Sequence, residues 1–510
     1  MTSAYTRDVS FPATFSPQQA PIHISAVAAL HGVRRDFKGR FTYCDYGCGQ
    51  GLTLALVAAC YPEAQFFGVD MNSAHIETAR AFASSCSIEN VEFIEADFLS
   101  MNSGDLPLLD FAAVSGVYSW LPAEKRRRLA CIIAGGLKDG GACALQYRCM
   151  PGSASRLTTD GLATFLAGRA SGASSARIVS ALSAVSHIID APDLAFNKVN
   201  PTAREHLKEQ LAADPDYLAH DILNADYAGV WFHQVAEEFR RAGLGFVAQL
   251  RPQMNACPDL LEPQLARRMS SVAENRNDPI VWQELVNLAV NAGSRWDLFV
   301  KPHGDSSDET EPDVLQGLFV RGLAGRDHKG PRQALSGRVA VDLTDPAFDF
   351  ALDMVADGEV AFGLMANRMS VGAGAEAARR ILRSLFALGL IGFSAAALAE
   401  PRGAANPVFS AQQKRILFES LRYEKPQPFP SRSLGNCVPL ALRDRVILTS
   451  MACENVEAAW ALIEEKGAGV RSDGGREIMS LERFRAYLSE AQIGFRAERL
   501  PDLQRLGLFC

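Results

Sequence analysis

Nine residues near the start of the chain, YCDYGCGQG (43–51), place Asp45, Gly47, Gly49 and Gly51 at alternate positions behind an apolar lead-in. Glycines there let the main chain come close to a ligand, and they leave amide groups free where the next helix begins. Spacing excludes two phosphate-binding patterns. A dinucleotide turn needs G-x-G-x-x-G, and its third position here is Leu52. A P-loop ends in Gly-Lys-Ser/Thr, where this chain has Gln50-Gly51-Leu52. Two acidic signals follow, Asp70 in GVD and Asp97 in EADF. A carboxylate at the end of a second strand accepts hydrogen bonds from ribose hydroxyls in nucleoside sites of this architecture. Taken singly, each signal has a plain alternative: a tight corner, a helix cap, a turn residue. Placed after three successive strands, they describe one ligand site.

The elements that must position these residues are legible as an alternation. FTYCDYG reads as a strand, LTLALVAACY as a helix and QFFGVDM as a second strand. HIETARAFASSC is a helix, VEFIEADF a third strand and LDFAAVSGVY a fourth. AEKRRRLACIIAGGL is a helix and GGACALQYR a fifth strand. Such alternation predicts an α/β fold, a Rossmann-like parallel sheet with helices on both faces. After Pro151 the period becomes helical, clearest in TAREHLKEQLAA and VWFHQVAEEFRRAGL, until RWDLFVKP. HGDSSDETEPD (303–313) reads as an exposed linker. Beyond it, GRVAVDL suggests a strand, AEAARRILRSLFAL a helix and EKPQPFPSRSLGN a Pro-rich connection. The expected units are residues 1–155, a mainly helical 156–302, and a small α/β or winged-helix-like 314–510.

Composition narrows the class. The 510 residues carry a formal net charge of −7, which argues against a general nucleic-acid binder. There is no signal-peptide pattern and no apolar run long enough to span a bilayer, so a cytoplasmic location is expected. Eleven cysteines, dispersed and without a CxxC pair, fit reduced thiols better than a disulfide framework. No His, Cys and acidic set has metal-ligand spacing, and no G-x-S-x-G nucleophile elbow occurs.

The pattern D-x-G-x-G-x-G resembles the first motif of class I S-adenosylmethionine-dependent methyltransferases, and GVD and EADF resemble their second- and third-strand motifs. The resemblance implies that Asp45, Gly47, Gly49 and Gly51 line the methionine end of the cofactor, that Asp70 holds the ribose, and that Asp97 and Phe98 hold the adenine. Met71 and Ser115 complete the implied cofactor-lining set. The stretch Ser115-Gly116-Val117-Tyr118-Ser119-Trp120-Leu121-Pro122 is similar to a bacterial subfamily that carries a methyltransferase regulatory domain. That group includes protein lysine methyltransferases acting on outer-membrane proteins. Members commonly have His where this chain has Ser115. TFSPQQAPIHISAVAALHGV resembles the segment that packs over the cofactor. DPDYLAHDILNADYAGVWFHQVAEEFRRAGLGFVAQL resembles the opening of the regulatory domain, and RWDLFVKP its closing strand. The resemblance covers about residues 11–302.

Methyl transfer needs an acceptor with a free lone pair, held in line. A lysine amine, with an unperturbed pKa of about 10.4, must first lose a proton, and burial among aromatic rings favours that loss. Tyr118, Trp120 and Tyr147 follow the fourth and fifth strands, where an acceptor enters. For Trp120, core packing and acceptor contact are equal alternatives. A hydroxyl acceptor would need a base, for which His23 and His233 are candidates, whereas His220 reads as a packing residue. The basic run Lys125–Arg128 reads as a solvated helix face. The expected function is methylation of protein lysine side chains. The alternatives are O-methylation of a saccharide or small metabolite, and a non-catalytic cofactor-binding interaction protein.

Overall fold

A computed structural model describes residues 6, 8–33, 40–102, 104–224, 226–255, 261–274, 278–303, 318–323, 332–334, 339–341, 346–356, 358–396, 407–468 and 480–509. Apart from His303, the expected acidic linker lies outside these described residues.

Helix α1 (Pro21–Leu30) precedes the alternation β1 (Thr42–Tyr46), α2 (Leu52–Cys60), β2 (Gln65–Asp70), α3 (Ser73–Ser85), β3 (Val91–Glu95), β4 (Leu109–Val114), α4 (Ala123–Gly136) and β5 (Leu137–Arg148). These five strands are parallel in the order β3-β2-β1-β4-β5. The order reverses at β1, so a crevice opens beyond its carboxyl end, where such sheets bind ligands. Register brings the acids to that end: Asp45 lies opposite Gly68, and Asp70 opposite Glu95. Side chains of β1 alternate between two cores. Tyr43 faces α1 and α2, whereas Cys44 and Tyr46 face the side of α4. Both sheet faces are therefore dry, which a parallel sheet requires.

The next region supplies helices α5 (Ala154–Ala167), α6 (Ser174–Ile189), α7 (Ala195–Val199), α8 (Ala203–Leu211), α9 (Pro215–Ile222) and α10 (Phe232–Arg241), strand β6 (Gly245–Gln249), helices α11 (Pro263–Glu274) and α12 (Pro279–Val290), and strand β7 (Ser294–Val300). Helices α5 to α9 enclose a separate apolar core. Strand β7 pairs antiparallel with β5, and β6 antiparallel with β7, so this largely helical region extends the main sheet to seven strands. RWDLFVKP is the strand that joins the two. Its join is sealed by Arg295, which is fully buried and bonded to Asp297, Asn287 and Gln283, while the Tyr147 hydroxyl donates to Asp297 at 2.6 Å.

The carboxyl-terminal region contains β8 (Phe319–Gly322), β9 (Arg332–Ala334), β10 (Val339–Val341), α13 (Pro346–Met354), β11 (Val360–Ala361), α14 (Phe362–Ala373), α15 (Ala375–Ala387), β12 (Ile391–Ser394), α16 (Ala411–Ser420), β13 (Gln427–Ser431) and β14 (Asn436–Leu440), with further helices to Arg505. The strand expected in GRVAVDL is β10. The stretch read as a Pro-rich connection instead forms part of the β13–β14 hairpin, with Pro428 opposite Pro439. A two-stranded ribbon has unpaired edges on both sides, so prolines missing an amide donor are accommodated there. This hairpin packs on α2, whose Thr53–Cys60 are all buried. The Tyr61 hydroxyl donates to the carbonyl of Gly435 at 2.6 Å, and the amide of Asn436 donates to the carbonyl of Pro17 at 3.2 Å. One continuous core thus runs from α1 and α2 into the carboxyl-terminal region.

Candidate functional site

Strand β1 ends in the glycine turn, and all three glycines adopt left-handed backbone: φ is +85° at Gly47, +54° at Gly49 and +70° at Gly51. A Cβ at Gly47 would collide with Val117, and one at Gly51 with Phe93 and Ala79. At Gly49 it would project into open space. Two of the glycines are thus demanded by packing. The third leaves the turn bare on the crevice side.

The Gly49 amide donates to Asp70 Oδ2 at 2.9 Å, and the Asn72 amide donates to Asp70 Oδ1 at 2.9 Å. Asp70 therefore fastens the turn to the end of β2. Asp45, on the adjacent strand, is buried, and its Oδ1 has no hydrogen-bond partner. Burial, followed by the nearby charge of Asp70, raises its pKa to about 7. A buried carboxylate oxygen without a donor calls for a cationic or N–H partner from outside the chain.

The remaining expected cofactor residues are placed as follows. Asp97 is exposed, with Oδ1 accepting from the Leu99 amide at 2.9 Å. Phe98 is buried, its ring edge-on to Tyr46. Met71 is 37% exposed at the end of β2. Ser115 is half-buried after β4. The next residue, Gly116, is exposed at φ +68° and donates its amide to Gln146 Oε1 at 2.9 Å.

A strap of residues 8–16 crosses this end of the sheet. Gln50 Nε2 donates to the carbonyl of Phe11 at 2.5 Å, and the Phe11 amide donates to His75 Nε2 at 3.1 Å. Thr53 Oγ1 donates to the carbonyl of Thr14 at 2.9 Å and accepts from the Ser16 amide at 3.1 Å. His75 accepts at Nε2, which places its ring proton on Nδ1, 3.6 Å from Asp70 Oδ1. Farther along the strap, His220 Nε2 contacts the carbonyl of Val9 at 2.7 Å, and the Phe11 ring meets Tyr217 and His220. The strap thus touches both the glycine turn and helix α9.

The residues expected on the acceptor side separate, and Tyr147, like Tyr118, is fully buried, with its hydroxyl on Asp297. Tyr118 is fully buried; its ring packs near Tyr147 and Phe239, and its hydroxyl donates to Glu238. In this position it braces α10 and does not line the crevice. His233 Nδ1 bonds Glu284 Oε1 at 2.7 Å, and its ring stacks on Trp231. It belongs to α10 and α12, beside β6 and β7 and away from the glycine turn on β1. Trp120 stays at the crevice, half-buried, where its indole donates to the carbonyl of Asp221 at 3.2 Å and stacks on Tyr227 with ring centroids 5.9 Å apart. His23, the other candidate base, is half-buried with Nε2 against the carbonyl of Leu250, and desolvation lowers its pKa. Arg126 differs from a solvated face: both guanidinium nitrogens that bond Glu238 do so at 3.2 Å.

Several residues around the crevice escape sequence reading. Asp221, 2% exposed, accepts from Arg148 at 2.7 and 3.0 Å and from Arg156 at 2.9 Å. Glu238, Tyr227 and Gln146 join it. Each meets its partner across roughly 30 to 120 positions, so no local motif announces them. Among the described residues, no group of three or more His, Cys, Asp or Glu side chains is placed to hold a metal. No helix among them is long and apolar enough to cross a membrane.

Comparison with known proteins agrees with this geometry. Residues 38–113 match a methyltransferase domain, and residues 214–301 match a predicted methyltransferase regulatory domain. The uncharacterized protein sll1526 of Synechocystis is 27% identical over 302 residues, 58% of either chain. The uncharacterized protein RP789 of Rickettsia prowazekii is 26% identical over 232 residues, 45% of this chain and 41% of that one. The chain therefore spans about half the length of these curated relatives. The structure of PKMT2 from Rickettsia typhi in complex with AdoHcy superposes with a TM-score of 0.66 at 17% identity, over 95% of this chain and 98% of that one.

Fold, glycine turn and domain matches define a class I methyltransferase domain joined to a methyltransferase regulatory domain. Within that class the chain shares the fold of PKMT2 along nearly its whole length. The cofactor of such a domain is S-adenosylmethionine, and the residues present fit it. The orphaned oxygen of Asp45 suits its α-ammonium group, and the bare turn at Gly49 leaves room for its backbone-contacting atoms.

Proposed function

We propose that this protein transfers methyl groups from S-adenosylmethionine to lysine side chains of proteins. The observation that carries the methyltransferase reading is the buried Asp45 carboxylate, which holds an unpartnered oxygen beneath an open glycine turn. When bound, the cofactor supplies an electrophilic methyl carbon on a sulfonium. Asp45 and the turn at Gly47, Gly49 and Gly51 would hold its methionine end. Asp70, with Met71 beside it, would hold the ribose. Asp97 and Phe98 would hold the adenine, with Ser115 at the edge of the site.

Asp70 has two tasks in this reading, because the oxygen that braces Gly49 belongs to the same carboxylate that meets the ribose. The strap over Gln50, Thr53 and His75 screens water from the crevice, which strengthens electrostatic contacts inside it. On the acceptor side, Gly116 and Ala228 are exposed, so a side chain reaching in from a larger molecule has an approach. The likeness to PKMT2 supports a protein acceptor, as does the resemblance of Ser115–Pro122 to lysine methyltransferases. O-methylation of a saccharide or metabolite needs a base, and neither His23 nor His233 is oriented into the crevice.

The test is incubation of the pure protein with radiolabelled S-adenosylmethionine and fractionated lysate of its source, with Asp70→Ala as control. Label in protease-sensitive material, retained on lysine after hydrolysis and lost in the variant, is the expected result. Label only in small-molecule or polysaccharide fractions overturns the lysine assignment.

A further inference from the structure

Beside the glycine turn, a chain of contacts leads to a hydroxyl that nothing in the chain uses. Val117 packs on Gly47, and Trp120 lies 3.9 Å from where a Cβ on Gly116 would stand. Tyr227 stacks on Trp120 at an interplanar angle of 24°. Its neighbour Ala228 donates its amide to the carbonyl of Ser119 at 3.1 Å, fixing the loop to this turn. The Tyr227 hydroxyl is buried and has no hydrogen-bond partner.

Of the polar groups around it, several are engaged elsewhere, while Arg156 Nε and Asp160 Oδ2 lie 3.5 Å from each other and are likewise without a hydrogen-bond partner. Arg148 and Arg156 both bond Asp221, Arg148 also bonds the Tyr217 hydroxyl at 3.2 Å, and Asp160 accepts from Gln210 at 2.7 Å. The Trp120 indole is committed to the Asp221 carbonyl. Buried hydroxyls in native proteins nearly always have a partner, so one left over beside a binding crevice calls for an explanation. Burial pushes the Tyr227 phenol well above its usual pKa. It is therefore a neutral O–H with lone pairs to offer, and not a base.

We propose that Tyr227 contacts the methyl acceptor, its hydroxyl oxygen accepting a hydrogen bond from the N–H of a lysine-like amine while the Trp120 ring walls the alkyl stem. This rests on the lysine reading above and adds to it the residue that orients the amine. A neutral phenol does so without stabilising the ammonium as a carboxylate would, so the amine keeps its tendency to lose a proton when desolvated. The inference also assigns Asp221 a positioning role, because its carbonyl holds the indole on which Tyr227 stacks.

The experiment uses the full chain loaded with S-adenosylhomocysteine, with its ten tyrosines labelled by 13C at the ζ carbon. Tyr227→Phe assigns the Tyr227 signal. n-Butylamine, a lysine side-chain mimic, is titrated at about pH 9, below its own pKa as for a lysine amine. The expected result is a saturable shift of the Tyr227 signal and an n-butylamine affinity roughly tenfold lower in Tyr227→Phe, equivalent to one hydrogen bond. Because the hydroxyl has no protein partner, the variant should melt no lower than the parent, which separates loss of contact from loss of fold. A Tyr227 signal that n-butylamine does not move, or an affinity unchanged in the variant, overturns the proposal and leaves the methyltransferase reading standing. Failure of S-adenosylhomocysteine to bind at all overturns both.

Discussion

Glu238, on α10, accepts a hydrogen bond from the hydroxyl of Tyr118, which lies 120 positions earlier in the turn after β4. The same carboxylate accepts from Nε and Nη2 of the Arg126 guanidinium, whose Cζ also lies 5.7 Å from the Tyr118 ring centroid. A residue of the regulatory-type region thereby sets the backbone path that carries Ser115, Gly116 and Trp120 along the crevice. Replacing Glu238 by Ala leaves a cation and a phenol nearly buried without their partner. The expected loss is about 3 kcal/mol of stability by urea denaturation. Tyr118→Phe, which removes one hydrogen bond, should cost about 1 kcal/mol.

The Asp45 carboxyl predicts how cofactor binding depends on pH. With its pKa raised to about 7, it is protonated in the free protein below that value. A cationic ligand favours the ionised form, so binding below pH 7 must expel a proton. Affinity should rise about tenfold per pH unit up to pH 7 and level off above it. Calorimetry in buffers of differing ionisation enthalpy should record about one proton released at pH 6, and none in Asp45→Asn.

The same group acts on stability in the opposite sense to a salt-bridged acid. Its unfolded pKa is about 3.9, so between roughly pH 4 and pH 7 the folded state holds the extra proton. Its contribution should therefore decline as pH rises through that window and stay flat above it. Comparison of urea midpoints for the parent and Asp45→Asn from pH 4 to 8 isolates this contribution.

The three glycines should separate by substitution. Gly47→Ala and Gly51→Ala force a side chain into left-handed backbone and into Val117 or Phe93, so each should cost about 2–5 kcal/mol. Gly49→Ala meets only open space and should cost about 1 kcal/mol. Its effect should appear as a cofactor affinity weakened roughly tenfold or more, read by titration with S-adenosylhomocysteine.

Thr53→Val keeps the shape of the side chain but removes both hydrogen bonds to the strap. The expected results are about 2 kcal/mol of lost stability, faster amide exchange at Ser16, and faster release of bound S-adenosylhomocysteine by stopped flow.

The parallel sheet was readable because each strand and helix carries its own period within about ten residues, and the glycine turn because its demands are local. The strap of residues 8–16 was not readable: the segment likened to a cofactor cover starts only at Thr14, and the anchors Gln50, Thr53 and His75 sit in a turn and on helices with other apparent purposes. Tyr118 was expected at the acceptor but turns inward to Glu238, a partner no local pattern connects to it. Trp120, read as either a packing residue or an acceptor contact, stacks its ring on Tyr227 and stays half-exposed near Gly116. Prolines concealed the β13–β14 hairpin because propensity describes a central strand, and an isolated ribbon is under no such constraint.

Helix α2 is buried along nearly its whole length, yet part of its cover comes from β14: Cys60 meets the carbonyl of Asn436 across 376 positions. A ribosome adds about 5–20 residues per second. The helix that carries the glycine turn therefore waits some 20–75 s after its own synthesis before its outer face can be closed. During that interval the nascent methyltransferase domain displays an apolar stripe, so its yield in the cell depends on whatever shields that stripe until the distant hairpin emerges.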